Sequence, residues 1–317
     1  MPRSRNLDRR QFVTGGAVAT LAVAACARGT AGEPSVAAEP SAAAEPAPTR
    51  TAAPPPPVAE PGIVRVVSVK TAVEGRLLPT LIERFERGSP YRVRLTTGVQ
   101  VYDLARTGKA DLVISHYGHK DAEAFVPDGL GEWPRTIFSN QMALLGPPDD
   151  PARVRGLDDL GEAFRRIAET RSKFVINGID GVKYLTEILW HAVGQPDRTG
   201  WVIDAGTSKD GAIVLASELR AYSLWGLTPF LRLGGARPLA LEPLVLADPL
   251  LQRMMVSIIV KPGEGRGVNT AGAAGFQAHL LDPATQAAIR TVHYPGKQAV
   301  AWVPAGRHNR TAVLPKT

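Results

Sequence analysis

The sequence contains a single cysteine, few aromatic residues and no long uninterrupted hydrophobic run. One cysteine excludes a disulfide framework and any zinc site built from several cysteines. Lysine and arginine number 37 against 30 acidic residues, a formal net charge of +7, but the basic residues are spread along the chain and are not interleaved with aromatics. A nucleic-acid surface is therefore not expected, whereas the charge is compatible with binding of small anions.

The length and composition indicate a folded protein. With 317 residues, 44% of them hydrophobic, the chain can form one large or two ordinary domains with buried cores. The apolar stretch 239–251 is interrupted by Glu242, Pro243, Asp248 and Pro249, so it does not predict a transmembrane helix.

The common signatures of catalysis are absent from the sequence. It has no G-x-S-x-G elbow, no P-loop, no G-x-G-x-x-G after a strand and no H-E-x-x-H. His116 and His119 have a His-x-x-His spacing, but no further zinc ligands are evident nearby. We expect these histidines to line a cleft or to lie in solvent, with a zinc pair as the alternative.

The N-terminus, residues 1–26, resembles an export signal. A basic stretch ends at Arg9-Arg10-Gln11-Phe12, which resembles a twin-arginine signal, with a general export signal as the alternative. The apolar stretch 12–25 has about fourteen residues, fewer than the ~20 that a membrane helix needs. Val23-Ala24-Ala25-Cys26 resembles a lipobox, so Cys26 is predicted to carry a lipid, and the alternative is an ordinary secretory signal.

Residues 27–62 are mostly Ala, Pro, Glu, Ser and Thr, including four successive prolines at 54–57. Such a segment has little to bury and cannot form a helix, so it predicts a disordered tether. A lipid anchor followed by this tether would place a soluble domain at a membrane surface, exported to the cell envelope.

From Ile63 onward, short apolar runs alternate with segments of helical periodicity. The pattern predicts strands at 63–69, 91–96, 110–115, 141–145, 174–176, 221–224, 244–246 and 256–260. It predicts helices at 77–87, 99–107, 121–125, 157–170, 184–193, 211–220, 273–281 and 283–291. Alternating strands and helices predict an α/β fold with a parallel sheet covered on both faces.

Polar loops stand where predicted strands end and helices begin, which is where open α/β sheets bind ligands. Helix N-termini at such loops offer free N–H groups and the positive end of the helix dipole, a combination suited to a small anion. The alternative is that Ser68, Thr71 and Asp180 are only helix N-caps. The candidate ligand-binding residues are Ser68, Lys70, Thr71, Ser115, His116, Asn177, Gly178, Asp180, Tyr222 and Ser223.

The order of segments from 64 to about 303 resembles the solute-binding proteins of tungstate ABC transporters, which have a periplasmic-binding-protein type II fold. The resemblance is best over 97–151, where Thr97-Gly98-Val99-Gln100 and Gly108-Lys109-Ala110-Asp111-Leu112-Val113 match the family's G-x-G-x-A-L…G-D-A-D-V-V segment. Ala221-Tyr222-Ser223-Leu224 is similar to its A-Y-T-L, and Asp248-Pro249-Leu250-Leu251 to its D-P-x-L.

The departures from the family lie in the ligand loops. A Thr-Thr-Thr-Ser run is replaced by Ser68-Val69-Lys70-Thr71, and Asn177 stands where the resemblance implies an anion-binding arginine. Val182 replaces a threonine, and Trp225-Gly226-Leu227-Thr228 replaces T-D-R-G-T. Because an asparagine amide lacks the charged fork of arginine, Lys70 is expected to supply the missing charge from the opposite lobe.

Pattern and resemblance together predict two α/β lobes with a hinge and a ligand cleft. Lobe one comprises 63–145 and 256–317, and lobe two comprises 146–255. The crossings near Gly146 and Met255 would form the hinge, and closure of the lobes would hold the ligand.

The predicted function is that of a monomeric, lipid-anchored, extracytoplasmic solute-binding protein. It would capture a small oxyanion such as tungstate or molybdate and deliver it to the permease and ATPase of an ABC transporter, without catalysis, cofactor or metal. A second hypothesis keeps the fold for another small polar solute or a sensory role, because the arginine is missing. A third is an envelope hydrolase using Ser68 or Ser115 with His116.

Overall fold

The computed structural model describes residues 62–98, 100–297 and 299–306, except for the side chains of Lys120 and Glu123. The predicted export signal, Cys26 and the tether up to residue 61 lie outside the described residues. All described residues belong to one compact unit, Ala53–Thr317. A search of the described helices finds none that is long and apolar enough to span a membrane.

The described elements follow the predicted alternation. The strands are β1 (Ile63–Ser68), β2 (Arg92–Thr97), β3 (Leu112–His116), β4 (Arg135–Gly146), β5 (Phe174–Val175), β6 (Val202–Ile203), β7 (Ser223–Gly226), β8 (Glu242–Val245), β9 (Gln252–Ile259) and β10 (Trp302–Pro304). The helices are α1 (Thr71–Glu74), α2 (Leu77–Arg87), α3 (Val101–Arg106), α4 (Lys120–Phe125), α5 (Leu160–Glu169), α6 (Asp180–Ala192), α7 (Asp210–Leu219), α8 (Leu227–Ala236), α9 (Thr270–Leu281) and α10 (Pro283–Ile289), with a short 3-10 turn at Pro249–Leu251.

The main sheet is mixed, so the prediction of a parallel sheet is correct only for its first strands. Its order is β10-β4-β9-β3-β1-β2; β1 is parallel to β2 and β3, whereas β9 is antiparallel to both β3 and β4. Parallel neighbours need a crossover between them, and the helices between β1, β2 and β3 provide it. Strand β9 lies far from β3 and β4 in the sequence, and the local alternation of strands and helices does not indicate in which direction it runs.

Strand β4 is longer than predicted, because the strand pattern indicated only 141–145. Its first part pairs with β9 and β10, and from Met142 onward it pairs with β7 and β8. The preceding residues, Arg135 to Asn140, mix polar and apolar side chains and lack the continuous apolar run that predicted the later part. The division into two lobes stays a prediction. The change of β4 from pairing with β9 and β10 to pairing with β7 and β8 is the structural feature relevant to that division.

The helical periodicity marked the buried face of α2 correctly. In α2, Leu77, Leu78, Leu81, Ile82 and Phe85 are all buried, as the spacing predicted. Helix α8 was not predicted, since its sequence contains a proline and two adjacent glycines. It is stabilised instead by burial of Leu227, Phe230 and Leu233, since packing overrides weak intrinsic propensity.

Candidate functional site

The structure reveals a cationic side chain that the sequence analysis missed, Arg253. It lies near the start of β9, directly opposite Asn140 of β4 in the sheet register. Arg253 is partly buried, and within the described part of the chain it has no hydrogen-bond partner and no carboxylate within ion-pair distance. Burial lowers the pKa of its guanidinium. A desolvated charge without a counter-ion is costly, which indicates that an anion belongs beside it.

The guanidinium of Arg253 lies against the first turn of α6. A Cβ atom built on Gly181 would lie 3.3 Å from Nη2 and 3.4 Å from Nη1 of this arginine. A side chain at position 181 would therefore crowd the guanidinium. The residue preceding α6, Ile179, provides no side-chain cap, so the first N–H groups of the helix stay free to bind a ligand.

A second uncapped helix N-terminus lies on the other side of Asn140. Helix α8 begins after Gly226, which has no side chain to cap it, and the Nδ2 atom of Asn140 is 3.8 Å from the position a Cβ of Gly226 would take. Two helix starts thus flank the pair formed by Arg253 and Asn140. Both present N–H donors and a positive dipole end.

Several buried polar atoms close to these elements have no hydrogen-bond partner among the described residues. They are Asn140 Oδ1, Thr228 Oγ1, Ser223 Oγ and His116 Nδ1. Each unpaired buried polar group costs about 1–3 kcal/mol, so such groups are normally satisfied by a ligand or by water. Asn140 pairs with Arg253, Thr228 lies in the first turn of α8, and His116 feels the charge of Arg253, which marks this region as the candidate site. Ser223 pairs with Leu145, farther along β4.

His116 ends β3 and faces the same side of the sheet as Arg253. It pairs with Met255, and Arg253 lies two residues from Met255 along β9, so the alternation of a strand puts both side chains on one face. The pKa of His116 is lowered to about 3. The largest cause is burial of the ring, followed by the positive charge of Arg253 and by His119. The imidazole is therefore neutral at physiological pH.

The predicted hydroxyls of Ser68 and Ser115 are already bonded inside the protein. Ser68 donates to the carbonyl of Val69 at 3.1 Å, and Ser115 shares a 2.7 Å hydrogen bond with the hydroxyl of Tyr102. Ser115 also donates to the backbone carbonyl of His116 at 3.3 Å, and neither serine is hydrogen-bonded to a histidine ring among the described residues. Ser115 and His116 are successive strand residues whose side chains point to opposite faces, so His116 cannot serve as a base for Ser115.

Lys70 and Thr71 lie at the start of α1, as predicted from the sequence. Lys70 is exposed, and its side chain forms no hydrogen bond or ion pair with another described residue, while Thr71 is partly buried. The role of Lys70 as the replacement cation stays a prediction. The cation that the structure places among buried polar groups is Arg253 instead.

Asn177 and Gly178 fasten their loop to the segment before α7. Asn177 is buried, and its Oδ1 accepts a 2.9 Å hydrogen bond from the backbone N–H of Lys209. The N–H of Gly178 donates to the carbonyl of Thr207 at 2.9 Å, and a Cβ on Gly178 would lie 2.9 Å from that same oxygen. Asp180 is exposed at the first position of α6.

Tyr222 is a core residue and offers no free hydroxyl. Its O–H donates to Asp150 Oδ1 at 2.7 Å and accepts from the N–H of Ala152 at 3.0 Å. Burial and the bond to Asp150 raise the pKa of the phenol. The interaction predicted for Tyr222 with a ligand is thus replaced by a structural one, while the hydroxyl of the neighbouring Ser223 stays unpaired.

His119 acts as a helix cap. Its Nδ1 accepts a 3.3 Å hydrogen bond from the N–H of Asp121 at the start of α4. Across residues 62–98, 100–297 and 299–306, no group of three or more His, Cys, Asp or Glu side chains is placed to hold a metal ion.

Arg253 was overlooked because the strand pattern placed the start of its strand at Val256. The available signal was a single charged residue, Arg253, in the run 250–260, whose other polar residues are only Gln252 and Ser257. A charged residue in a strand that is buried on both faces needs a partner. That partner could not be identified from the sequence.

Comparisons with known proteins agree with the resemblance. No protein-family model matches the chain. A Haloferax volcanii protein provisionally named ABC transporter anion-binding protein is 29% identical over 229 residues, which is 70% of this chain and 66%, just under two thirds, of that protein. The tungstate-binding protein TupA of Peptoclostridium acidaminophilum is 26% identical over 237 residues, 73% of this chain and 81% of that protein.

The solved tungstate-binding protein TupA of Desulfovibrio alaskensis has the same fold. It superposes with a TM-score of 0.65 at 23% identity and covers 77% of this chain and 99% of its own. These relatives are named for binding, which supports a non-enzymatic role and not the hydrolase hypothesis. The chain therefore has the type II periplasmic-binding-protein fold and is homologous to one protein named for anion binding in an ABC transporter and to another named for tungstate binding.

Proposed function

We propose that this chain is the extracytoplasmic solute-binding protein of an ABC transporter and captures a small oxyanion of the tungstate or molybdate type. The observation that carries the proposal is Arg253, a partly buried guanidinium with no counter-ion among the described residues. A bound oxyanion would supply that counter-ion and accept the planar fork of donors that arginine presents.

The surroundings of Arg253 favour an oxyanion over a cation or an apolar ligand. Asn140 Nδ2, the hydroxyl of Thr228 and the first N–H groups of α6 and α8 can all donate hydrogen bonds, against one unpaired acceptor, Asn140 Oδ1. Donors arranged around one guanidinium match an acceptor-only ligand. In this arrangement Arg253 takes over the role of the arginine that the family resemblance implies at Asn177.

The remaining parts of the proposal follow from the fold and its relatives. Lobes 63–145 with 256–317 and 146–255 would close on the anion about crossings near Gly146 and Met255. The loaded monomer would then dock on a membrane permease, whose ATPase drives transport. The relatives named as ABC transporter and tungstate-binding proteins support these partners.

Arg253→Met is expected to weaken binding of tungstate or molybdate by about ten- to a hundredfold, because a charge-assisted hydrogen bond contributes roughly 1.5–3 kcal/mol. Arg253→Lys should retain part of the affinity, since a point charge stays but the fork is lost. Isothermal titration calorimetry with tungstate, molybdate, sulfate and phosphate measures both effects.

The matched control is Arg171→Met, which removes an arginine whose side chain is 66% exposed and should leave affinity unchanged. Removing Arg253 takes away an uncompensated buried charge, so its variant should melt no lower than the wild type. If none of the four anions binds the wild type, or if Arg253→Met binds as tightly, the oxyanion proposal is wrong. A melting shift with small organic acids alone would favour the second hypothesis, a different polar solute.

The lipid anchor is a separate part of the proposal, supported by the lipobox-like sequence that ends at Cys26. Cys26→Ala is expected to release the exported protein from the membrane fraction, because Cys26 is the only residue able to carry the thioether-linked lipid. Fractionation and lipid labelling check this. A Cys26→Ala protein that stays membrane-bound and acylated would contradict the anchor.

A further inference from the structure

The region around Arg253 contains two groups that can carry positive charge, Arg253 itself and His116. We propose that these two residues set the charge of the bound oxyanion: Arg253 alone balances a monovalent anion, and a divalent anion binds with a proton taken up on His116. This inference rests on the proposed oxyanion function and specifies which charge state the site accepts.

The geometry couples the two side chains. His116 and Arg253 lie on the same face of the sheet at the meeting point of β3 and β9. The Nδ1 atom of His116 is buried and has no partner among the described residues, so one ring nitrogen is available to a ligand. The charge of Arg253 is the second largest influence on the imidazole, after burial.

The other titratable groups near His116 are engaged in contacts of their own. His119 raises the cost of protonating His116, and its own Nδ1 is used to cap α4 and lies 3.7 Å from Asp121. Tyr102, on α3, is hydrogen-bonded to Ser115, and burial raises the pKa of its phenol. Of these groups, His116 is the one with an unpaired nitrogen beside the guanidinium.

The charge balance differs between the two kinds of anion. In the empty site His116 is neutral, because burial and Arg253 hold its pKa at about 3. A monovalent oxyanion neutralises Arg253 and leaves no net charge to desolvate. A divalent oxyanion leaves one negative charge in a poorly solvated site, and this charge favours the imidazolium form of His116. The proton comes from solvent and ends on the ring, where it donates to an anion oxygen.

The sign of the pH dependence follows directly. A divalent anion raises the pKa of His116 in the complex above its value in the empty site, so binding consumes a proton between these two values. Affinity for a divalent anion should therefore rise as the pH falls, approaching tenfold per pH unit below the pKa of the complex. Affinity for a monovalent anion should not change.

Perrhenate and tungstate provide the test, because both are tetrahedral oxyanions of nearly the same size and differ by one unit of charge. Calorimetric titration of the wild-type protein is made from about pH 8.5 to about pH 5.5 in two buffers with different ionisation enthalpies. We expect pH-independent perrhenate binding without proton exchange. We expect tungstate binding to tighten toward low pH, with uptake of about one proton in the lower part of this range.

His116→Gln keeps a polar side chain but cannot take up the proton, so it should lose both the pH dependence and the proton uptake of tungstate binding. His191→Gln, at the exposed end of α6, is the matched control and should behave as the wild type. The proton count on the wild type tests the proposal even if His116→Gln folds poorly.

The outcomes separate this inference from the proposed function. Tungstate binding that is tight, independent of pH and free of proton uptake would overturn the role of His116 and leave oxyanion capture intact. If perrhenate binds more tightly than tungstate near pH 8.5, the result supports the role of His116. Absence of binding by either anion, together with the other oxyanions, would overturn the proposed function itself.

Discussion

Asp111→Asn is expected to lower the free energy of unfolding by about 3–5 kcal/mol, because it removes one partner of a buried ion pair and leaves the other charged. The Asp111 side chain is fully buried, and its Oδ1 lies 2.6 Å from Nη2 of Arg65, whose side chain is 10% exposed. The amide that replaces the carboxylate has a similar size. The loss of stability would therefore be due to the lost charge and not to a change in side-chain volume.

The network around this pair explains the large effect. Asp111 Oδ2 also accepts from the backbone N–H and Nε of Arg65, at 2.7 and 3.1 Å, and Oδ1 accepts from the N–H of Asn269 at 2.9 Å. Arg65 donates in turn to the carbonyls of Gly108 and Gly267. One carboxylate thus joins β1, the start of β3 and the loop before α9.

Urea unfolding followed by circular dichroism measures the loss. The control is Asp128→Asn, which breaks a surface pair with Arg106 in which the side chains are 33% and 53% exposed and should cost less than about 1 kcal/mol. If Asp111→Asn does not fold, the double variant Arg65→Met with Asp111→Leu should be more stable than either single change, because it removes both charges. Equal small losses for Asp111→Asn and Asp128→Asn would show that the buried pair is not a major source of stability.

Trp190→Ala is expected to cost about 3–5 kcal/mol, since it opens a large cavity in the aromatic cluster beneath α6. The indole of Trp190 is 1% exposed, and its ring centroid lies 4.4 Å from that of Phe164, 5.3 Å from Phe174 and 5.4 Å from Trp201. This cluster holds α5, α6 and β5 together.

Two further substitutions make the Trp190 test specific. Trp133→Ala changes a side chain that is 80% exposed and should alter stability by no more than about 0.5 kcal/mol. Trp190→Phe should cost less than Trp190→Ala, because it keeps an aromatic ring and removes a buried indole N–H that has no partner in the described structure. A Trp190→Ala protein as stable as the Trp133 variant would contradict the proposed packing role.

Helix α2 and strand β1 show how far local pattern is sufficient. The predicted bounds of α2 are the observed ones, and its five apolar residues all face the core. Such an element is specified by its own spacing of side chains, so no distant contact is needed to predict it. Asn177 lies in the loop between β5 and α6, as predicted, whereas Ser68 and Ser115 lie within the last residues of β1 and β3.

The candidate site shows where local pattern fails. Asn177 and Tyr222 have residue types and loop positions that predicted ligand contacts, yet both side chains are used in internal hydrogen bonds. Residue type tells which bonds a side chain can form, and only the neighbours brought by the fold decide which bond it forms. Arg253 is the converse case, a strand residue that the pattern did not single out and whose proposed role in binding rests on its surroundings in the fold.

The amino-acid sequence by itself determined most of the strands and helices in their order, the buried face of helices such as α2, and a resemblance that predicted the fold and a class of ligand. These features depend on local propensity and on side-chain period, which neighbouring residues carry. The tertiary structure alone decided that β9 runs antiparallel between β3 and β4 and that Arg253 lies against Gly181 with Asn140 and His116 nearby. Those contacts join residues far apart in the chain. They form because the sheet and its helices bury their apolar faces together, which depends on the whole fold and cannot be predicted from any single segment.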